Sequence, residues 1–169
     1  ATIKPPFRLA EGGSVTALGD ALERLCDQVS PIQLDGLRPT TLGRFLALVP
    51  VGDQARLNGL AALAVETLDA FRAPLTEDEL ARRRHGARLG PRQETLLARW
   101  GYPYVMDGFR FHMTLTGALP PDRRAAVRAV LDGALSDALP HPFLLDGLSL
   151  VGQAADGRFH LVHRRTLSS

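Results

Sequence analysis

The chain has 169 residues, 45% hydrophobic and 22% charged, a globular make-up rather than a disordered or fibrous one. A chain of this length folds without a disulfide or metal staple, and its single Cys26 has no internal partner. No stretch approaches the roughly 18 apolar residues of a membrane span. The net charge of +2 is too weak to announce a nucleic-acid binder.

Residues 1–9 read as extended, with Pro5-Pro6 confining the later part to a sheet edge. Between Ser14 and Val29, apolar Val15, Leu18, Leu22, Leu25, Cys26 and Val29 follow the 3.6-residue period behind a Ser14 or Thr16 cap, which predicts a helix. Two strands are expected at about 32–38 and 42–49, separated by Pro39-Thr40-Thr41. A helix at about 54–71 leads into a polar insert. There, Thr76 and Glu79 make a capping box for a short helix ending in Arg82-Arg83-Arg84. The arginines between 82 and 88 read as a solvated basic helix end rather than a polyanion site. Pro91 starts a helix reaching about Trp100. A strand at 107–119, a helix at 121–139 and strands near 143–151 and 158–163 complete the chain.

Internal repetition organises these elements. Pro31-Ile32-Gln33-Leu34-Asp35-Gly36-Leu37 reads P-x-x-L-D-G-L, as does Pro142-Phe143-Leu144-Leu145-Asp146-Gly147-Leu148, 111 positions later. Gly43-Arg44-Phe45 recurs 114 positions on as Gly157-Arg158-Phe159, and Thr2-Ile3-Lys4 falls opposite Thr114-Leu115-Thr116 at an offset of 112. Each half reads β-α-β-β. The expected fold is therefore α+β, with duplicated βαββ halves whose antiparallel sheets face a central groove and whose helices lie outside. The halves run from about 1 to 50 and 107 to 165, and connecting helices fill about 54–100.

The segment from Phe109 to Thr116 alternates strictly. Phe109, Phe111, Met113 and Leu115 form an apolar face, and Arg110, His112, Thr114 and Thr116 a polar one. A cation, an imidazole and two hydroxyls, with no carboxylate among them, suit an anion with oxygens to hold and a proton to move. Thr2 and Lys4 repeat the theme, and Lys4 is the one lysine beside nineteen arginines.

His112-Met113-Thr114 resembles the H-x-T motif of the two-histidine (2H) phosphoesterase superfamily, whose members carry it once per βαββ half. The strings from Thr2 to Leu9, Phe71 to Pro74, Arg99 to Val105 and Phe109 to Gly117 resemble the branch associated with bacterial phosphonate metabolism genes, over essentially the whole chain. The offset predicts a histidine immediately before Ala1. The chain is accordingly expected to be the larger part of a longer protein lacking its front.

The resemblance implies metal-independent hydrolysis, or the reverse closure, of a small cyclic phosphodiester linked to phosphonate metabolism. One imidazole acts as base and the other as acid. The catalytic group is His112, Thr114 and Thr2, with the histidine predicted before Ala1. Substrate contacts are expected from Lys4, Arg110, Thr116 and Tyr104, with Tyr102, Arg8 and Arg72 as further candidates. His85, His141, His160 and His163 show no ligand spacing, so neither metal nor cofactor is expected. The expected partner is a small phosphorylated substrate, not long nucleic acid or a membrane, and the expected location is the cytoplasm. An RNA-end 2′,3′-cyclic phosphodiesterase or ligase, and a phosphate-ligand binder without turnover, are the competing readings.

Overall fold

Ser14 opens the first helix in the computed structural model, which describes residues 1–85 and 88–168. Its hydroxyl accepts from Ala17 N at 3.0 Å, and α1 runs Val15–Cys26. Leu18, Ala21, Leu22, Leu25 and Cys26 form the buried stripe that the period predicts. Helix α2 spans Ala55–Thr67 and stops short of Phe71 in a 3-10 turn at Asp69–Phe71, where the Asp69 carboxylate accepts from Arg72 Nε at 2.8 Å. The capping box is present. Thr76 Oγ1 accepts from Glu79 N at 3.2 Å, Glu79 Oε2 accepts from Thr76 N at 2.8 Å, and α3 follows over Glu77–Arg84. Helix α4, Pro91–Trp100, is ended by Gly101 at φ +74. Helix α5, Pro121–Leu135, ends before position 139; there the Ser136 hydroxyl donates back to Gly133 O at 3.1 Å.

Among the described residues seven strands, all paired antiparallel, complete an α+β chain: β1 Ile32–Leu34, β2 Gly36–Leu42, β3 Phe45–Val51, β4 Met113–Thr114, β5 Phe143–Leu145, β6 Gly147–Gln153 and β7 Phe159–Thr166. Two compact units result. One takes Ala1–Thr2, Ile32–Asn58 and Arg110–Leu145, and the other Ile3–Pro31, Gly59–Phe109 and Asp146–Ser169.

In the first unit, β2, β3 and β4 form a sheet in that order, and α5 packs on β2 and β3. Strands β1 and β5 pair separately as Ile32↔Leu145, Gln33↔Leu144 and Leu34↔Phe143. This register maps onto itself when the two P-x-x-L-D-G-L strings are exchanged, as an antiparallel pair about a local two-fold axis does. Leu37, Leu46, Leu48, Leu57 and Phe111 are buried here, and the Phe111 ring packs 6.1 Å from that of Phe143.

In the second unit, α1 packs on the β6–β7 hairpin, and Val65, Leu96 and Val105 form a cluster with Trp100, Tyr102 and Met106 against it. A Cβ on Gly147 would lie 2.7 Å from the Arg165 carbonyl oxygen, so that strand start demands glycine.

Three expectations need correction. Residues 1–8 form no strand, and Leu9 makes only an isolated bridge to Arg72. Pro5 and Pro6 have no N–H to give a ladder, so the first half lacks its leading strand. Pro39-Thr40-Thr41 does not separate strands. It lies within β2 opposite Leu48, Ala47 and Leu46, because β2 is an edge strand that tolerates a proline. The break falls instead at Asp35, with the hairpin turn at Gly43-Arg44. Finally, the strand expected over 107–119 shrinks to Met113–Thr114, preceded by a 3-10 turn at Met106–Gly108.

Candidate functional site

The strand shortens because the backbone after Thr114 converges on one acceptor. Leu115 N and Thr116 N both donate to Leu46 O, at 2.9 and 3.3 Å. The Thr116 hydroxyl completes the arrangement, accepting from Leu46 N at 3.0 Å and donating to Gly117 O at 2.9 Å. Thr116 therefore closes the strand end, and its hydroxyl is not free for a substrate contact as the alternation suggested.

Thr114 lies opposite Ala47, which in turn lies opposite Thr40. Directly opposed residues of antiparallel strands project to one side, so one face carries Thr40, Ala47 and the exposed Thr114 in a row. Phe45, two residues before Ala47 on β3, projects to the same side. Its ring lies 5.8 Å from the His112 imidazole at 47°. His112, one residue before β4, places Nδ1 2.9 Å from Arg110 O. A carbonyl only accepts, so Nδ1 carries the proton, and in the neutral ring the lone pair is on Nε2. Arg110 contributes this carbonyl while its side chain is exposed. Thr2, also exposed, belongs to the same unit.

The two remaining predicted contacts belong to the other unit. Lys4 is buried there, its side chain 8% exposed, with Nζ donating to Val65 O at 3.1 Å and 3.5 Å from Asp69 Oδ1. Burial pushes its ammonium below the ordinary lysine value, with Asp69 pulling the other way. Burial raises the Asp69 carboxyl, but the hydrogen bond and charge of Arg72, joined by Lys4, outweigh it and hold the group below the usual range. Phe7 lies 5.3 Å from the same ammonium. Lys4 is thus tied into a structural cluster by these contacts, which is reason enough for a lysine at that position. The cavity beside it, lined by Lys4, Phe7, Arg72, Trp100 and Tyr102 among others, has a volume of about 10 Å³, room for one water. Tyr104 is 42% exposed and meets Tyr102 edge-on at 5.7 Å.

Two arginines of the basic insert, and Arg8 beside it, are engaged by neighbours. Arg84 pairs with Glu94 at 2.8 Å, Arg8 with Glu79 at 2.9 Å, and Arg83 stacks 4.8 Å over Tyr102. Gly86 and Ala87, inside that cluster, lie outside the described residues. His163 Nε2 is 3.0 Å from Glu23 Oε1, off the line a hydrogen bond needs, and His141 Nδ1 is 3.2 Å from Asp35 O. Among the described residues no three His, Cys, Asp or Glu side chains gather as a metal site requires.

Phe45 and Thr40 were not among the predicted site residues. The recurrence of Gly-Arg-Phe was the available signal for Phe45, although it reads only as repetition. Nothing in the sequence singles out Thr40, whose hydroxyl oxygen is buried with no hydrogen-bonding partner among the described residues.

A family model described as "Protein of unknown function (DUF1045)" matches residues 2–160. The chain is similar to a protein of Janthinobacterium sp. (strain Marseille) named "Ribose 1,5-bisphosphate phosphokinase PhnN", with 49% identity over 119 residues, 70% of this chain and 26% of the relative. A protein of the same name from Laribacter hongkongensis (strain HLHK9) is 41% identical over 139 residues, 80% of this chain and 32% of the relative. The chain thus spans about a quarter to a third of the length of these relatives.

Proposed function

This chain belongs to the DUF1045 family, and from that premise we propose that it carries a phosphoesterase centre of the two-histidine kind, acting on a small cyclic phosphodiester of phosphonate metabolism. The observation that carries the reading is the 2.9 Å contact of His112 Nδ1 with the Arg110 carbonyl oxygen. With Nδ1–H held by the Arg110 carbonyl, Nε2 is left to take a proton. In ring opening, one imidazole removes a proton from the attacking water, whose oxygen bonds to phosphorus. The other gives a proton to the departing ester oxygen. The second imidazole is that of the histidine predicted before Ala1. The Thr114 and Thr2 hydroxyls donate to the non-bridging oxygens as negative charge builds on them, a contribution typically worth on the order of 100-fold in rate per donor.

Two features support the duplication on which a paired centre depends. The two P-x-x-L-D-G-L strings pair with each other in a self-exchanging register. Each is broken at the same aspartate, Asp35 or Asp146, before a seven-residue strand that starts at glycine.

The relatives' name points to a phosphorylated ribose as the substrate class and, through the word phosphokinase, to a different chemistry. Phosphoryl transfer of the P-loop kind needs a glycine-rich loop followed by lysine. The sole lysine of this sequence, Lys4, follows Ile3 where the loop needs glycine and precedes Pro5 where it needs serine or threonine. We assign the kinase activity of the relatives to the part of their length that this chain does not match.

The test is His112→Ala in the intact polypeptide, assayed on a 2′,3′-cyclic nucleotide and on a cyclic ribose phosphate with and without EDTA. Hydrolysis is expected to vanish in the variant and to be indifferent to the chelator. Turnover that survives the substitution, or that the chelator removes, overturns the assignment.

A further inference from the structure

We infer that Phe45 is a positioning residue for His112. The inference rests on the function proposed for that histidine, but its geometry stands by itself. His112 precedes β4, which begins at Met113, so ladder pairing does not fix the imidazole. Its Cβ and the Nδ1 bond to Arg110 O hold one edge of the ring and leave tilt about that edge. The Phe45 ring, 5.8 Å away at 47°, packs against the imidazole and is placed to limit that tilt.

Phe45 is well held for the task. It is the first residue of β3, paired to Leu42 across the turn at Gly43-Arg44, and is followed by the fully buried Leu46 and Ala47. Leu119 N donates to Arg44 O at 2.7 Å, tying the turn to the segment beyond β4. A ring on a closed hairpin and a carbonyl two residues upstream thus set both position and tilt of the imidazole. For a group that must meet a proton in line, displacement by about 1 Å costs on the order of 100-fold.

The experiment compares Phe45→Leu and Phe45→Met, which keep apolar volume without a ring, with Phe45→Tyr, which keeps the ring. Each is made in the intact polypeptide and assayed on a 2′,3′-cyclic nucleotide, and the His112 Cε1 proton is followed by NMR for the loss of ring-current shift. In the ringless variants kcat is expected to fall roughly 10- to 100-fold with KM within about twofold, and the proton resonance to move. Phe45→Tyr is expected to stay within a few-fold of the parent. Parental kcat in the ringless variants overturns the inference, and so does a loss in Phe45→Tyr as large as theirs. If His112→Ala retains hydrolysis, it is the proposed function that has failed. In that case the NMR shift alone decides whether Phe45 holds the ring.

Discussion

The two long hairpins of this chain start alike and finish differently. Strands β2 and β6 each have seven residues, both hairpins turn at a glycine of positive φ (Gly43 at +57, Gly157 at +84), and β3 and β7 both begin with phenylalanine. On β3 the next residues, Leu46, Ala47 and Leu48, are 0%, 0% and 9% exposed. On β7, Phe159, Leu161 and Val162 are 61%, 66% and 48% exposed. The difference lies in the neighbours. Strand β3 has β4 on its second edge and α5 against the sheet, whereas β7 has no second strand neighbour among the described residues. Helix α1 does reach β7, but its polar contacts, Glu23 with His163 and the capping Asp27 with Arg165, fall on the later part of that strand. Apolar patterning in a hairpin therefore states a capacity for burial, and the third element decides whether it is used.

Substitutions near the starts of β3 and β7 give the largest contrast. Leu46→Ala is expected to cost about 2–5 kcal/mol by urea denaturation. Leu161→Ala is expected to stay within about 0.5 kcal/mol, because its side chain already meets solvent. Equal losses at the two sites would break the comparison. Amide exchange sharpens it further: the β3 amides should exchange far more slowly than those between Phe159 and Val162.

Within the first sheet, two threonines should respond with opposite signs. Thr116→Val leaves Leu46 N without its acceptor and is expected to destabilise by about 1–3 kcal/mol. Thr40→Val removes a buried hydroxyl that has no partner among the described residues, and a gain of about 1 kcal/mol is expected. Thermal melts of the two variants, shifted in opposite directions, are the check. A shift of the same sign would show that the hydroxyls do equivalent work.

The smallest effect belongs to acid. The hydrogen bond from Arg8, with help from the Thr76 N–H, lowers the Glu79 carboxyl to about 2 from an ordinary 4.5. A depressed folded-state value stabilises above the unfolded one, so this contribution is full above about 4.5 and fades as pH falls towards about 2. Glu79→Gln should flatten that limb of the stability–pH curve slightly, since both partners are solvent-accessible. A large change would mean that the pair couples to more of the second unit than its contacts indicate.

How far the site could be read in advance depended on the reach of each interaction. The alternation of 109–116 correctly separated apolar Phe111 from polar His112 and Thr114. It went too far at Thr116, because the partner of that hydroxyl, Leu46 N, is 70 residues away. Lys4 drew attention as the one lysine, but its acceptor Val65 O is 61 residues distant and no local pattern announces it. The Phe45–His112 contact joins residues from opposite halves of the sequence and escaped for the same reason.

What the residues alone determined is what acts within a turn or between identical strings. The period and Ser14 cap of α1, the Thr76–Glu79 box of α3, and Pro91 at the start of α4 with Gly101 at its end all work over a few residues. The matching P-x-x-L-D-G-L strings anticipated strands at both places, and those strands pair. Tertiary structure decided which edges acquired a neighbour, where the strand after His112 ends, which polar groups are occupied, and what holds the imidazole. Each of those outcomes rests on a hydrogen bond or packing contact between distant residues, whose partner is chosen only when the chain closes on itself.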